Sequence, residues 1–289
     1  TSLSTVYIPC GTSVGISANA FAGCTSLNAF NLPITSSCST GCAPSSTTIN
    51  AICVPTATPT AEPSATPTAQ PSATPTATPT AQPSATPTLV PTSLGCAIAP
   101  DANGNVVIPS DWTTIPEAAW KYCTGSCGSL KSVTIKSDSQ LVSISNNAFF
   151  RCRSLTAITF SGSTTLTSIG DNAFYMTALT SIKIPSSVVT LGNGVFRYTS
   201  TLTVVDIPVN SQLTVINGKS FWDTGIQSIY IPNKVKSIAG SSFHRCASLK
   251  TVTLASNNQL KTINGGSFYN CTSLSTVYIP CGTSVGISA

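Results

Sequence analysis

Few residues of this chain are of a type that does chemistry. His244 is the only histidine. It stands in the run GSSFHRCASL, where no nucleophile or second base is spaced to work with it. The eight acids are scattered. Asp206 and Lys183 occupy equivalent outward positions of neighbouring strand motifs, which reads as a cross-strand ion pair of under about 1 kcal/mol rather than an acid/base pair. Glycine-rich phosphate loops and metal-ligand clusters are missing from the sequence. The expectation is therefore a non-enzyme, with no catalytic residue, no cofactor and no metal. The abundant reactive groups are of another kind, cysteine sulfur and serine or threonine hydroxyl.

Twelve cysteines stand against that single histidine, which argues for disulfides in an oxidising, extracellular compartment rather than for zinc. The hydroxyls are most regular in residues 55–91. There a proline recurs at every fourth position, and each is followed by Thr or Ser. The candidate O-glycosylation sites are Thr56, Thr60, Ser64, Thr68, Ser72, Thr76, Thr80, Ser84 and Thr88. Asn270-Cys271-Thr272 is a weak N-glycan candidate, because a cysteine fills its middle position and burial is expected.

The proline tract has no apolar face to bury, so it cannot build a core. Proline fixes φ and disfavours helix in the residue before it, leaving an extended polyproline II rod. Fully extended, it would reach on the order of 115 Å. A sequence period of four on three residues per turn rotates each Pro-Ser/Thr unit by about a third of a turn, so the hydroxyls spiral around the rod. In composition the tract resembles mucin-like stalks and hydroxyproline-rich wall glycoproteins, a resemblance that implies covalent glycans. The chain also carries only 7% charged residues, against about 25% in ordinary domains, and sugar would supply the missing hydration. A net charge of +5 without any Lys/Arg run argues against nucleic acid as a partner. The sequence contains no membrane-spanning run of apolar residues.

The remaining residues repeat with a period of 22 to 29, aligned on an aromatic anchor: Trp120, Phe149, Phe174, Phe196, Phe221, Phe243, Phe268 and Phe21. Five residues before the anchors stand Ile115, Ile144, Ile169, Leu191, Ile216, Ile238, Ile263 and Ile16. A short strand pattern follows most anchors, as in Leu155-Ile158-Phe160 and Leu274-Val277-Ile279, and Pro185, Pro208, Pro232 and Pro280 stop it. One such unit cannot bury its aromatic and its aliphatics alone, but stacked units about 4.8 Å apart can. The outward strand positions are Thr134, Thr159, Lys183, Asp206, Tyr230, Thr253 and Tyr278, with Asn31 in the same row. This row is the candidate exposed face.

The motif I-x-x-x-A-F-x-x-C-x-S-L-x-x-I-x-I-P is nearly spelled out by ISNNAFFRCRSLTAITF and INGGSFYNCTSLSTVYIP. It resembles the BspA-like leucine-rich repeat family of surface proteins, over about 230 of the 289 residues. The resemblance implies a mostly β, right-handed leucine-rich-repeat solenoid at the cell surface or outside the cell.

The expected architecture is a solenoid of about eight rungs with disulfide-tied caps and a polyproline II stalk. Cys24, Cys123, Cys152, Cys246 and Cys271 stand three residues after anchors, in an inward column where a free thiol acts as a small apolar group. The other cysteines gather at the solenoid ends. By parity, Cys96 is expected to pair with Cys127, and two bridges to join Cys38, Cys42, Cys53 and either Cys10 or its copy Cys281.

Residues 1–18 recur letter for letter as residues 272–289. The simplest reading is one period of a longer array, with residues 19–53 showing how the second copy continues. The domains are then 1–53 (final rungs and cap), 54–94 (stalk) and 95–289 (solenoid). The functional expectation is a structural extracellular glycoprotein that self-associates along a fibre or coat. The alternative is an adhesin that binds protein or glycan through the strand face.

Overall fold

The computed structural model describes residues 5–7, 20, 22–24, 30–31, 98–120, 126–162 and 165–278. Within them the chain winds into a parallel β-solenoid of about seven turns. Each turn has a two-residue strand, a tight turn carrying the aromatic anchor, and a longer strand. The short strands form two parallel ladders. Thr114–Ile115, Ser143–Ile144, Ser168–Ile169 and Thr190–Leu191 make the first, and Val215–Ile216, Ser237–Ile238 and Thr262–Ile263 the second.

The long strands follow the same order along the axis. Asn105–Ile108, Ser132–Ile135 and Ala157–Phe160 pair in parallel, Ser181–Lys183 pairs with Val204–Asp206, and Ser228–Ile231 continues through Thr251–Leu254 to Thr276–Tyr278. Thr5–Tyr7 adds to that far edge, and Phe30–Asn31 adds to Thr5–Tyr7. Successive strands are parallel because the chain always returns the same way round.

Alternation sets the inside. Val133, Ile158, Ile182, Val205, Ile229, Val252 and Val277 are all buried, while their neighbours at the outward positions are not. The anchors fill the centre of the turn. Trp120, Phe149, Phe174, Phe196, Phe221, Phe243 and Phe268 are at most 1% exposed, and successive rings stack at 4.8 to 5.5 Å. That separation lets each ring lie flat on the next, so the core is one continuous column.

The turn is held by two left-handed residues, one on each side of the anchor. Asn147 and Arg151 flank Phe149, Asn172 and Met176 flank Phe174, and Lys219 and Asp223 flank Phe221. All the non-glycine residues at positive φ except Asn257 occupy one of these two places. Each costs roughly 1–2 kcal/mol of backbone strain. In exchange, the amide after the anchor points along the axis into the next rung. Arg151 N–H donates to Tyr175 O at 2.7 Å, Tyr198 N–H to Trp222 O at 2.8 Å, and Asp223 N–H to His244 O at 2.8 Å.

The inward column three residues past the anchor holds Thr as well as Cys. Thr199 Oγ1 donates to Phe174 O at 2.9 Å, Cys246 Sγ to Phe221 O at 2.9 Å and Cys271 Sγ to Phe243 O at 3.0 Å. Each side chain satisfies the anchor carbonyl of the rung before it. Beyond the disulfide-bonded Cys152, the column Thr177, Thr199, Thr224, Cys246 and Cys271 is a row of donors, and this is why either Thr or Cys serves there.

Two expectations need correction or restriction. Cys127 is bonded to Cys152, not to Cys96, with Cα atoms 4.9 Å apart. The insert after Trp120 forms the helical turn Ser126–Ser129 and sets Cys127 directly over Cys152 in the adjacent rung. Cys152 is accordingly no free thiol. The described residues hold seven anchored turns; Phe21, the eighth anchor, lies outside them, although Ala20 and Cys24 beside it are buried. Cys10, Cys38, Cys42, Cys53, Cys96, Cys123, Cys281 and the whole proline tract also lie outside the described residues.

Candidate functional site

The outward strand row assembles as its alternation requires. Thr134 lies opposite Thr159, Lys183 opposite Asp206, Tyr230 opposite Thr253, and Thr253 opposite Tyr278. Tyr7 joins the row beside Tyr278, and Asn31 beside Tyr7. Thr159, Lys183, Asp206 and Tyr278 are exposed, and Thr134, Tyr230 and Thr253 are half-buried. Lys183 Nζ lies 3.9 Å from Asp206 Oδ2, the expected cross-strand pair, in full contact with water. At the ends of these strands Phe160, Lys183, Pro185, Ser187, Pro208 and Asn210 line a cavity of about 250 Å³, at the small end of ligand sites. Val107, in register with Thr134, extends the row by an exposed apolar residue that the repeat pattern alone did not include.

A second row runs along the turns. The residue after each anchor lies on the outside, and these side chains stack from rung to rung. Phe150 and Tyr175 lie parallel at 4.6 Å, Tyr175 meets Tyr198 edge-on at 5.5 Å, Trp222 lies 4.1 Å from His244, and His244 lies 4.9 Å from Tyr269. The Phe196 rung has Arg197 in that place. Its guanidinium lies 4.6 Å from both the Tyr198 and the Trp222 ring centres, and its Nη2 donates to the Tyr198 hydroxyl at 2.9 Å. Tyr198 of the same rung carries the ladder across it, 5.5 Å from Tyr175 and 6.4 Å from Trp222, with the Arg197 guanidinium packed against it and against Trp222.

His244 is part of this ladder, which accounts for its position without any catalytic partner. Burial against its neighbours lowers its pKa, the Arg245 charge lowers it further, and Asp223 acts in the opposite direction. The ladder could have been found in the sequence by reading the position after each anchor as its own column, Phe150, Tyr175, Arg197, Trp222, His244, Tyr269.

The thiols Cys24, Cys246 and Cys271 are buried. Hydrogen bonds with Cys24 and Cys246, together with burial, push the Cys271 thiol far up, while its bond with Cys271 lowers Cys24. Held as a thiol, Cys271 is a packing and bonding group and no nucleophile. Among the described residues no group of three His, Cys, Asp or Glu could hold a metal ion, and no helix is long and apolar enough to cross a membrane. Asn270 is half-buried, with its N–H bound to Ala22 O at 2.9 Å.

A family model described as the BspA type leucine rich repeat region matches in six copies, over residues 1–65, 120–250 and 167–287. No curated protein sequence matches the chain. Among solved structures, it is similar to the pneumococcal vaccine antigen PcpA at 17% identity with a TM-score of 0.39, covering 63% of this chain and 62% of that one. The chain therefore spans less than two thirds of the length of that antigen. It is also similar to a leucine rich repeat protein of T. pallidum, at 25% identity and a TM-score of 0.43 over 64% of this chain and 73% of that one. A leucine rich cell surface protein from Faecalibacterium prausnitzii is 18% identical, with a TM-score of 0.27 over 60% and 78% of the two chains.

Proposed function

We propose, for a chain that belongs to the BspA type leucine-rich repeat family, a structural and non-catalytic role outside the cell: solenoid units joined end to end into a fibre or surface coat. The observation that carries this reading is the stacking of identical segments. Residues 5–7 and 276–278 are both Thr-Val-Tyr, and they pair in parallel with Thr5 opposite Thr276 and Tyr7 opposite Tyr278. Beside them, Phe268 N–H donates to Ala20 O at 2.9 Å, and Cys24 Sγ donates to Phe268 O at 3.1 Å.

The segment around residue 20 thus does for the Phe268 rung what each rung does for the one before it. In a tandem array the following copy offers the same residues. The far edge of a parallel sheet is a row of unpaired backbone groups, so covering it is favourable in itself.

The tract of residues 55–91 serves in this reading as the glycosylated spacer between solenoids, with sugar on Thr56, Thr60, Ser64, Thr68, Ser72, Thr76, Thr80, Ser84 and Thr88. Twelve cysteines beside one histidine support an oxidising, extracellular setting. The deciding experiment is electron microscopy of native material with mass spectrometry of its proline-rich peptides. Beads repeating along a filament and sugar-bearing peptides are expected. Isolated single units with unmodified peptides would defeat the proposal. A second reading, adhesion through the strand face, has support in the exposed Tyr278 and in the cavity beside Lys183. It would take over on that result.

A further inference from the structure

The chain has four arginines, Arg151, Arg153, Arg197 and Arg245, and every one lies within four residues after an anchor; Arg151 lies over the Phe150 ring at 5.3 Å and Arg197 against the Tyr198 and Trp222 rings. The nine lysines show no such preference. Asp223 is the one carboxylate among the same positions of the described turns. Glu117 and Asp171 lie before their anchors and are engaged there. Glu117 accepts from Asn147 Nδ2 at 3.4 Å, and Asp171 Oδ1 accepts the Asn193 N–H at 2.7 Å. The strip therefore carries a net positive charge in a chain otherwise poor in charge.

The rings present a particular aspect to that strip. In the pairs Phe150–Tyr175 and His244–Tyr269 the planes are within 15° of parallel, so their faces are turned to each other along the axis and their edges to solvent. An aromatic edge is the positive side of the ring quadrupole, and Tyr hydroxyls and the Trp222 N–H are donors. Arg197 packs its guanidinium against the Tyr198 and Trp222 rings, and its Nη2 is fixed by the bond it donates to the Tyr198 hydroxyl. Such a guanidinium is pre-organised for an oxyanion.

We propose that this aromatic–arginine strip binds an anionic polysaccharide, carboxylated or sulfated, laid along the solenoid axis. A ligand matching the ladder must be long and repetitive, because ring centres recur every 4.1 to 6.4 Å over five steps. It must bear anions, to meet Arg151, Arg153, Arg197 and Arg245, and hydroxyls, to meet the tyrosine edges. Single-stranded nucleic acid fits less well along the Phe150–Tyr175 and His244–Tyr269 pairs, because bases need exposed ring faces to stack on and these faces cover each other. The inference draws on the extracellular setting proposed above but not on fibre formation, so its failure would leave the array reading standing.

The test is titration of the full chain with polygalacturonate and with dextran sulfate, against neutral dextran, poly(dT) and polyglutamate. The readout is tryptophan emission, since Trp222 is half-exposed in the ladder while Trp112 and Trp120 are buried. Saturable binding of at least one anionic polysaccharide is expected, weakening as salt is added. The variant R151A/R153A/R245A, altered only at exposed positions, should lose about tenfold in affinity, because three exposed charge contacts are removed. Lys183→Ala, on the strand face, should bind as the parent chain does. Equal binding of neutral dextran, tighter binding of poly(dT) or polyglutamate, or an unchanged triple variant would each overturn the proposal. If the triple variant does not fold, the comparison of anionic with neutral polymers in the parent chain decides it.

Discussion

Cys127 and Cys152 are joined across one turn of the solenoid, with Cα atoms 4.9 Å apart and a sequence separation of 25. A bridge closing a loop of that size restricts the unfolded chain and is worth about 3 kcal/mol. Cys127→Ser should lower the unfolding free energy by that order, measured by urea titration. Cys152→Ser should give a shift of the same size, and the double variant should lose no more than either single one.

Phe221 sits between Phe196 at 5.5 Å and Phe243 at 5.2 Å, fully buried. Phe221→Ala empties the middle of the aromatic column and should cost roughly 3–5 kcal/mol. Tyr269→Ala removes a ring that is 43% exposed at the end of the outer ladder, and should cost about 1 kcal/mol or less. Equal losses in the two variants, compared by thermal unfolding, would contradict the division into an inner and an outer stack.

Gly192 lies where adjacent rungs approach closely. A Cβ there would fall 2.4 Å from the backbone of Asp171 and of Gly170. Backbone cannot swing aside as a side chain can, so Gly192→Ala should destabilise by roughly 1–3 kcal/mol. Gly128, with nothing within 4 Å of its Cβ position, should accept alanine with a change of under about 0.5 kcal/mol.

His244 gives a pH dependence with a definite sign. Its pKa is lowered in the folded chain, chiefly by burial, so between that value and the usual 6.5 the unfolded chain binds more protons than the folded one. Stability then rises with pH through this window and is complete above pH 6.5. Acidification from pH 7 to pH 5 should lower the melting temperature of the parent chain more than that of His244→Gln. Parallel pH profiles would show that His244 is not desolvated in the ladder.

Cys246 and Cys271 are fully buried, and the Cys271 thiol is held protonated. Neither should react with iodoacetamide in the native chain at pH 8, and both should react after denaturation. Rapid labelling of the native protein, read by peptide mass spectrometry, would show that the column opens.

By itself the sequence determined the repeat, its anchors and its inside. Each rung is a local unit, and burial of Phe149 or Ile158 follows from the spacing of two or three neighbours along the chain. The outward row from Thr134 to Tyr278 follows in the same way, because alternation on a strand is also local. The match of residues 1–18 to 272–289 is likewise visible without coordinates.

Tertiary structure alone decided what touches what between rungs. Counting from Trp120 placed Cys123 in the inward column, whereas the motif C-x-S-L, shared by Cys127-Gly-Ser-Leu130 and Cys152-Arg-Ser-Leu155, places Cys127 there. The bridge joins Cys127 to Cys152, equivalent places of two such motifs, and Cys123 lies outside the described residues. The outer ladder had the same cause. Phe150, Tyr175, Trp222 and His244 are 22 to 25 residues from their partners and differ in chemical type, so only their place after an anchor, not a shared residue type, joins them. They meet because stacking at one rung per step brings every equivalent position within about 5 Å of the next.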